Sequence, residues 1–373
     1  MRIVYVFRSL AVWGGIERIL VDKMNALVTM YGEEVWMLTA DQGNHAIPYK
    51  LEEKVSVENL DINFHHQYRY GIVRRLWTGW RLRQLFIKRL RQRFQEIQPD
   101  VVVAVATSYA DSVLKAIGRT DVPLVVESHS ICQRTIFRSW RPEQWRLRRC
   151  MKRATAIVAL TEGDANDWRR LYGDKVSVIP NLVHLYQRGN VQRSPSKNRR
   201  VIFVGRFDYQ KRTTDMISIW RRVFPGHEDW CLDIYGEGEQ QQQVEQAARE
   251  ANANITIHKP TADIFDRYME SAVLVSTSLF EPFGLVIPEA MSCGVPVVAY
   301  ACPYGPVAII TDGKDGYLVP PGDEATFAQR LCRLMDDEAL RQNMGQAAIL
   351  SSQRYDAQQV MPLWKKLFDN YAL

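Results

Sequence analysis

The chain reads as an α/β protein built from two doubly wound domains, each a parallel sheet with helices on both faces. Three observations predict this. Its 373 residues exceed what one growing core usually holds, so two domains of roughly 150–200 residues are expected. Short apolar runs alternate with helical segments in two successive series without a fixed repeat. Between the series lies a polar segment, Gln187–Arg200, that carries Gly189, Pro195 and several basic residues, as a linker would.

The elements follow in order. Arg2–Phe7 reads as a first strand, Gly14-Gly15 as its turn, and Glu17–Tyr31 as a helix before the strand Glu34–Leu38. Val101–Ala106, Leu124–Glu127, Ala156–Leu160 and Val176–Ile179 are compact apolar runs, the pattern of strands buried on both faces. The second series opens with Val201–Val204 and the helix Thr213–Val223. It continues with the strand Trp230–Tyr235, a polar helix from Glu239 to Ala253, the strand Ile255–His258 and the helix Ala262–Met269. Val273–Ser276, Val295–Tyr300 and Gly316–Val319 complete the strands, and Glu324–Met335, Ala339–Ser351 and Ala357–Phe368 are helices. Met361-Pro362 predicts a kink or interrupted start in the last of them. The domain reading is 1–186, a linker at 187–199, 200–354, and a C-terminal helix at 355–373.

Composition narrows the class. With 46% hydrophobic and 24% charged residues the chain is ordinary globular material. The start, MRIVYVFRSLAVWGG, suits a strand entering a glycine loop better than a signal peptide, and no stretch approaches a membrane span. Six scattered cysteines, at 132, 150, 231, 293, 302 and 332, form no zinc or disulfide framework, which fits a reducing cytoplasm. The formal net charge is +6, and nine Arg or Lys with no acid lie between Arg69 and Arg93. There Val73, Leu76, Trp80, Ile87, Leu90 and Phe94 recur at helical spacing. Such a basic amphipathic segment, 69–94, suits an anionic membrane surface. It also suits the buried side of a surface helix, and less readily nucleic acid, which is not an expected partner.

The most informative stretch is Ser278–Glu289, which sets Glu281 and Glu289 eight residues apart around a glycine turn. The strand Ala272–Ser276 feeds this turn and an apolar helix start, Ile287–Met291, leaves it. Amides at such a turn can hold phosphate oxygens, with Glu281 near the loop and Glu289 about two turns into the helix, where a carboxylate accepts hydroxyls of a sugar or ribose. The plain alternative is a buried strand-turn-helix with a solvated Glu281 and a capping Glu289. No metal-binding carboxylate cluster adjoins the stretch, and no essential metal is predicted.

Together with this stretch, Gly14-Gly15-Ile16-Glu17, Val178-Ile179-Pro180-Asn181, Gly205-Arg206 with Lys211, Tyr235-Gly236-Glu237-Gly238, Met291–Ala299 and Asp312–Val319 carry a resemblance over nearly the full length. The chain resembles the family-4 retaining glycosyltransferases of the GT-B architecture, bacterial envelope-polysaccharide enzymes among them. The resemblance implies two Rossmann-like domains facing across a cleft, the second binding a nucleotide diphosphate sugar and the first much of the acceptor, with the helix at 355–373 crossing back to the first domain. It implies that Glu289 holds the ribose, that Glu281 contacts donor-sugar hydroxyls, and that amides around Phe283, Gly284, Leu285 and Val286 receive the diphosphate. Arg206 and Lys211 would stabilise the leaving diphosphate, and a guanidinium directly after a strand and glycine suits phosphate.

Gly14 and Gly15 would let backbone approach the donor phosphate or acceptor, or form a plain tight turn. His129 resembles the reaction-centre histidine, with Glu127 as its possible positioner; a structural loop histidine is the alternative. Gly236 and Glu237 resemble the loop beside the base, and a strand-ending turn accounts for them nearly as well. Two departures stand out: Arg212 where many relatives have glycine, and Val307-Ala308 where many carry Arg-Glu. The activity implied is retaining transfer of a hexose or N-acetylhexosamine, preferably from a UDP-sugar, to a hydroxyl of a glycan or lipid-linked glycan. The setting implied is envelope-polysaccharide or lipopolysaccharide synthesis in the cytoplasm or on the cytoplasmic membrane face. A nucleotide-sugar epimerase and a non-catalytic membrane- or nucleic-acid-binding scaffold are the other readings.

Overall fold

The computed structural model describes residues 1–137, 141–186 and 199–371. Its contacts divide the chain into two compact units, Met1–Leu182 with Ala357–Leu373, and Val183–Asp356. Apart from Arg199, the linker expected at 187–199 lies outside the described residues.

The first unit runs β1 (Arg2–Phe7), α1 (Gly15–Tyr31), β2 (Glu34–Thr39), β3 (Val55–Asn59), α2 (Ile72–Ile97), β4 (Val101–Val105) and α3 (Thr107–Ile117). It continues with β5 (Leu124–Glu127), α4 (Cys132–Phe137), α5 (Arg141–Arg153), β6 (Ala156–Ala159), α6 (Glu162–Tyr172) and β7 (Val176–Val178). All seven strands are parallel, in the order β3-β2-β1-β4-β5-β6-β7. Alternate residues of β1 serve two cores: Val4 and Val6 face Phe86, Leu90 and Trp168, while Ile3 and Tyr5 face Leu20, Met24 and Trp364. The edge strand β3 was not foreseen. Of its five residues, VSVEN, only Val55 is buried, too little apolar signal for a pattern reading.

The second unit runs β8 (Arg200–Val204), α7 (Thr213–Val223), β9 (Cys231–Tyr235), α8 (Gln241–Ala251), β10 (Ile255–His258), α9 (Ile264–Met269) and β11 (Val273–Ser276). Then come α10 (Val286–Ser292), β12 (Val297–Tyr300), α11 (Gly305–Ile309), β13 (Gly316–Val319), α12 (Glu324–Asp336) and α13 (Glu338–Ser352). Its six parallel strands are ordered β10-β9-β8-β11-β12-β13. The two doubly wound α/β sheets are the fold read from the sequence.

The last helix, α14 (Ala357–Asp369), belongs to the first unit and buries Val360, Met361, Trp364, Leu367 and Phe368. It runs through Pro362 without interruption, so of the kink or interrupted start expected there, the interruption does not occur. The buried residues on both sides of the proline hold the turn in place.

The predicted stripe on α2 divides. Phe86, Ile87, Leu90 and Phe94 enter the core, whereas Ile72, Val73, Leu76, Trp77 and Trp80 are between 55% and 83% exposed. Among the described residues no helix is long and apolar enough to cross a membrane.

In doubly wound sheets, ligands bind beyond the carboxyl ends of strands where the winding reverses. That point falls between β1 and β4 in one sheet and between β8 and β11 in the other.

Candidate functional site

In the second unit, the loops leaving β8 and β11 are laced together beyond the switch point. Leu279 N donates to Gln210 O at 2.8 Å, Gln210 Nε2 to Phe280 O at 3.0 Å, and the buried Thr277 hydroxyl reaches the Lys211 and Arg212 carbonyls. Gly205, directly after β8, leaves room for the stem of Lys211: a Cβ there would lie 3.2 Å from Lys211 Cδ. The stem carries Nζ inward to Glu281 Oε1, and Ser278 Oγ donates to the same oxygen at 2.8 Å. Both charged side chains are largely buried. Lys211 is therefore a fixed partner of Glu281. With Oε1 receiving both donors, Oε2 takes no hydrogen bond among the described residues.

The backbone of Glu281 is equally fixed, donating to Pro303 O at 2.7 Å and accepting from the amides of Tyr304 and Gly305 at 2.8 Å. Gly284 holds a left-handed φ of 93°, which reverses the chain into α10. The helix starts only at Val286, so Glu289 stands in its first turn, not two turns in. Glu289 is buried and accepts from Tyr268 Oη at 3.3 Å. Phe283 is buried beneath the turn, and the amides of Gly284 and Leu285 donate to no backbone carbonyl of the described residues.

Arg206 points outward, 75% exposed, with Asp208 at 3.4 Å. It thus stands apart from the Lys211–Glu281 pair. Gly236 and Gly238 are demanded by close packing: a Cβ on the first would meet Gly205 O at 2.0 Å, and on the second Phe207 O at 2.5 Å. The carbonyl of Glu237 accepts from Phe207 N at 2.9 Å. This loop, with His258 and Lys259, lines an open cavity of about 690 Å³. At its edge Tyr235 stacks on His258 with ring centres 4.4 Å apart, and His258 Nε2 lies 2.8 Å from Asp233.

In the first unit, Gly14 caps α1 in extended backbone, ahead of Gly15. The Glu17 carboxylate curls back over it, so that a Cβ on Gly14 would lie 2.1 Å from Oε2. Burial pushes the Glu17 carboxyl up, while its backbone hydrogen bond, His129 and Arg8 pull it back. His129 follows β5, its Nε2 lying 3.2 Å from Glu127 Oε1 but turned off the line of a hydrogen bond. Glu127 is buried and receives both oxygens' bonds from Lys23 Nζ, at 2.6 and 2.5 Å.

Sequence reasoning missed Lys23, Ser278 and Tyr268. A signal for Lys23 was present, since it interrupts the stripe of Leu20, Met24 and Leu27 that α1 buries. Tyr268 gave none, because only the fold brings α9 beside α10.

Residues 189–350 match the family described as glycosyl transferases group 1, and residues 13–187 the one described as glycosyltransferase family 4. The amylovoran biosynthesis glycosyltransferase of Erwinia amylovora is 30% identical over 59% of this chain, which spans 64% of that relative's length. A Campylobacter jejuni enzyme is 24% identical over 95% of the chain and 94% of its own length. Its name describes alpha-1,4-N-acetyl-D-galactosaminyl transfer to a diphosphoundecaprenol-linked glycan. In structure, a mutant of Staphylococcus aureus TarM in complex with fondaparinux, alpha-GlcNAc-glycerol and UDP superposes with a TM-score of 0.79. The superposition covers 99% of each chain at 14% identity.

Proposed function

Because this chain belongs to the family-4-like glycosyltransferases of the GT-B fold, we propose that it transfers a hexose or N-acetylhexosamine from a nucleoside diphosphate sugar to a hydroxyl of a glycan or lipid-linked glycan, with retention of configuration. The observation that carries this reading is the Lys211–Glu281–Ser278 cluster at the β8/β11 switch point. Glu281 Oε2 accepts a donor-sugar hydroxyl, and Glu289 accepts from the ribose. The amides of Gly284 and Leu285, aided by those of Phe283 and Val286, receive the diphosphate. Lys211 offsets the negative charge that grows on it as the anomeric C–O bond breaks, and Arg206 adds a second cation from the rim. The departing phosphate takes the acceptor proton, and attack comes from the face it leaves. His129 serves the donor-sugar side, and Gly236–Gly238 the base. UDP is the preferred donor nucleotide, in line with the UDP complex of the structural relative. The undecaprenol-linked substrate of the Campylobacter relative supports a lipid-linked acceptor.

The outward half of α2 supports a cytoplasmic-face, peripheral location for this activity. Arg74, Arg75 and Arg81 stack on Tyr70, Tyr68 and Trp77, beside the exposed aliphatic residues, an arrangement suited to anionic headgroups. Lys115 of α3 pairs with Asp111 at 3.2 Å, and Arg83 reaches the same carboxylate.

NMR-monitored consumption of UDP-, GDP- and ADP-sugars, with and without a pooled lipid-linked glycan fraction, tests the activity. Acceptor-dependent diphosphate release with an α-linked product from an α-donor is expected, unchanged by EDTA. Acceptor-independent conversion to an epimeric donor would overturn it. Lys211→Ala is expected to lower kcat about 10²–10³-fold, as loss of one preorganised charge-stabilising group does. Flotation with phosphatidylglycerol vesicles tests the location; Trp77→Ser with Trp80→Ser should abolish binding that the wild type shows.

A further inference from the structure

The loop between β1 and α1 is tied down along its length, yet it carries an aromatic ring that faces solvent. Leu10 is fully buried, and its amide donates to Gln42 Oε1 at 2.7 Å, an oxygen that Ser9 Oγ also reaches at 3.0 Å. Gln42 is itself fixed, its Nε2 donating to His45 O at 2.9 Å. Further on, Gly14 N donates to Val12 O at 2.8 Å, closing a three-residue turn with Trp13 at its apex. Tyr49 Oη fastens the far side, donating to Gly14 O at 3.1 Å. Trp13 meets the Tyr49 ring edge to face, centroids 5.2 Å apart, and is still 67% exposed. Such a contact leaves at least one indole face open.

The surroundings of this ring select its ligand. It stands beyond the carboxyl end of β1, beside the reversal of winding between β1 and β4 where doubly wound sheets bind ligands. Ala106, directly after β4 at the same reversal, holds φ 67°, a costly conformation for alanine of the kind that gathers at ligand sites. The Glu17 carboxylate lies over Gly14, the neighbour of Trp13, and interacts with His129 and with Arg8 at the end of β1. Arg8 in turn lies 3.8 Å from Asp41. An open apolar plane with a carboxylate and a guanidinium beside it matches a pyranose, which has a C–H face and a rim of hydroxyls. The indole face is the negative side of the ring quadrupole, and it attracts those C–H bonds. An acyl chain would need a continuous apolar groove, which the charges of Glu17 and Arg8 interrupt.

We propose that Trp13 is the stacking platform for a pyranose of the acceptor glycan, with Glu17 accepting from that sugar's hydroxyls and Arg8 donating to them. The proposal rests on the glycosyltransferase reading and names the side chain by which the first unit selects its acceptor sugar. An axial hydroxyl on the stacked face would lift the sugar off the indole, so Trp13 also discriminates between epimers.

The test is ¹⁹F NMR of the full chain labelled with fluorotryptophan, the Trp13 line being assigned by its loss in Trp13→Phe. Methyl glycosides of glucose, galactose, mannose, N-acetylglucosamine and N-acetylgalactosamine are titrated in turn, and then UDP and phosphatidylglycerol vesicles. At least one glycoside is expected to shift the Trp13 line saturably. A line moved by no glycoside, or only by UDP or only by vesicles, overturns the proposal. Saturation transfer to the ring C–H protons of that glycoside should weaken in Trp13→Ser and return in Trp13→Phe; equal transfer in all three proteins overturns it. Kinetics separate the proposal from the activity it rests on. With the pooled lipid-linked glycan as acceptor, Trp13→Ser should raise the acceptor KM about tenfold, as loss of one aromatic contact does, and leave the donor KM unchanged. An unchanged acceptor KM overturns the platform and leaves sugar transfer standing. A Trp13 line that responds to glycoside in a protein that transfers no sugar overturns the activity and keeps Trp13 as a sugar contact.

Discussion

Arg212 holds a left-handed backbone, φ 52°, as the N-cap of α7. It occupies the place where the resemblance leads one to expect glycine, so the turn is kept and the side chain is what differs. A non-glycine residue there carries strain of roughly 1 kcal/mol, offset in part by the pair of Arg212 Nε with Asp215 at 2.8 Å, worth about 0.3–0.5 kcal/mol at an exposed site. Arg212→Gly should therefore shift stability by less than about 1 kcal/mol in a urea melt, with the sign favouring glycine. Glu127 carries a pH prediction. Its carboxyl is lower in the folded chain, about 2, than its ordinary value of 4.5. A depressed carboxylate contributes stability that is fully present above the unfolded value and is lost as pH falls through the folded one. The wild type should thus lose stability between about pH 5 and pH 2 more steeply than the Lys23→Met, Glu127→Gln double variant; equal slopes in acid titrations would refute this. Glu281 and Glu289 stand out in one short run around a turn, and Lys211 in another just after Gly205-Arg206, but the contact between Lys211 and Glu281, 70 positions apart, comes only with the fold. Lys23 and Glu127 stand 104 positions apart, and their pairing exists only once α1 is laid on the sheet.

At the scale of elements, α2 shows what periodicity can and cannot say. Its apolar residues recur at helical spacing throughout, and the helix is where that spacing puts it. Spacing does not reveal which half finds a partner: from Leu82 onward the apolar residues pack on the core with β-sheet residues and α3, and those from Ile72 to Trp80 face outward. Leu90→Ala should accordingly cost about 2–5 kcal/mol, as a core truncation does. Leu76→Ala should stay within about 0.5 kcal/mol, and paired denaturant melts compare the two. Similar costs at both positions would mean that the outward half is also covered. The strand β3 escaped notice for the complementary reason, since an edge strand needs few buried residues. The start of α10 was read to within one residue, Ile287 against Val286, but Glu289 was set two turns into a helix whose first turn it occupies.

At the scale of the whole molecule, the first unit is not a contiguous piece of chain. Its core closes only when α14 returns after the entire second unit. The C-terminal segment was legible as a helix crossing back, from its apolar spacing and from the family resemblance. Its energetic weight was not, because that depends on the partners it meets in β1 and α1. Val360, Met361, Trp364, Leu367 and Phe368 are all buried there. At roughly 1.5–3 kcal/mol for each fully buried side chain, the helix supplies an amount comparable with the 5–15 kcal/mol that holds an entire domain together. Lys23 would also lose the Trp364 ring, which its ammonium faces at 4.1 Å. A chain ending at residue 356 should therefore lose the cooperative transition of the first unit and keep that of the second, whose core, Val201 to Met344, contains no residue of α14. Hydrogen exchange read by mass spectrometry separates the outcomes: β1, β4 and β5 should exchange freely in the truncated protein while β8, β11 and β12 stay protected. Protection retained in all six strands would mean that the first unit folds without its returning helix, and that α14 serves a purpose other than closing the core.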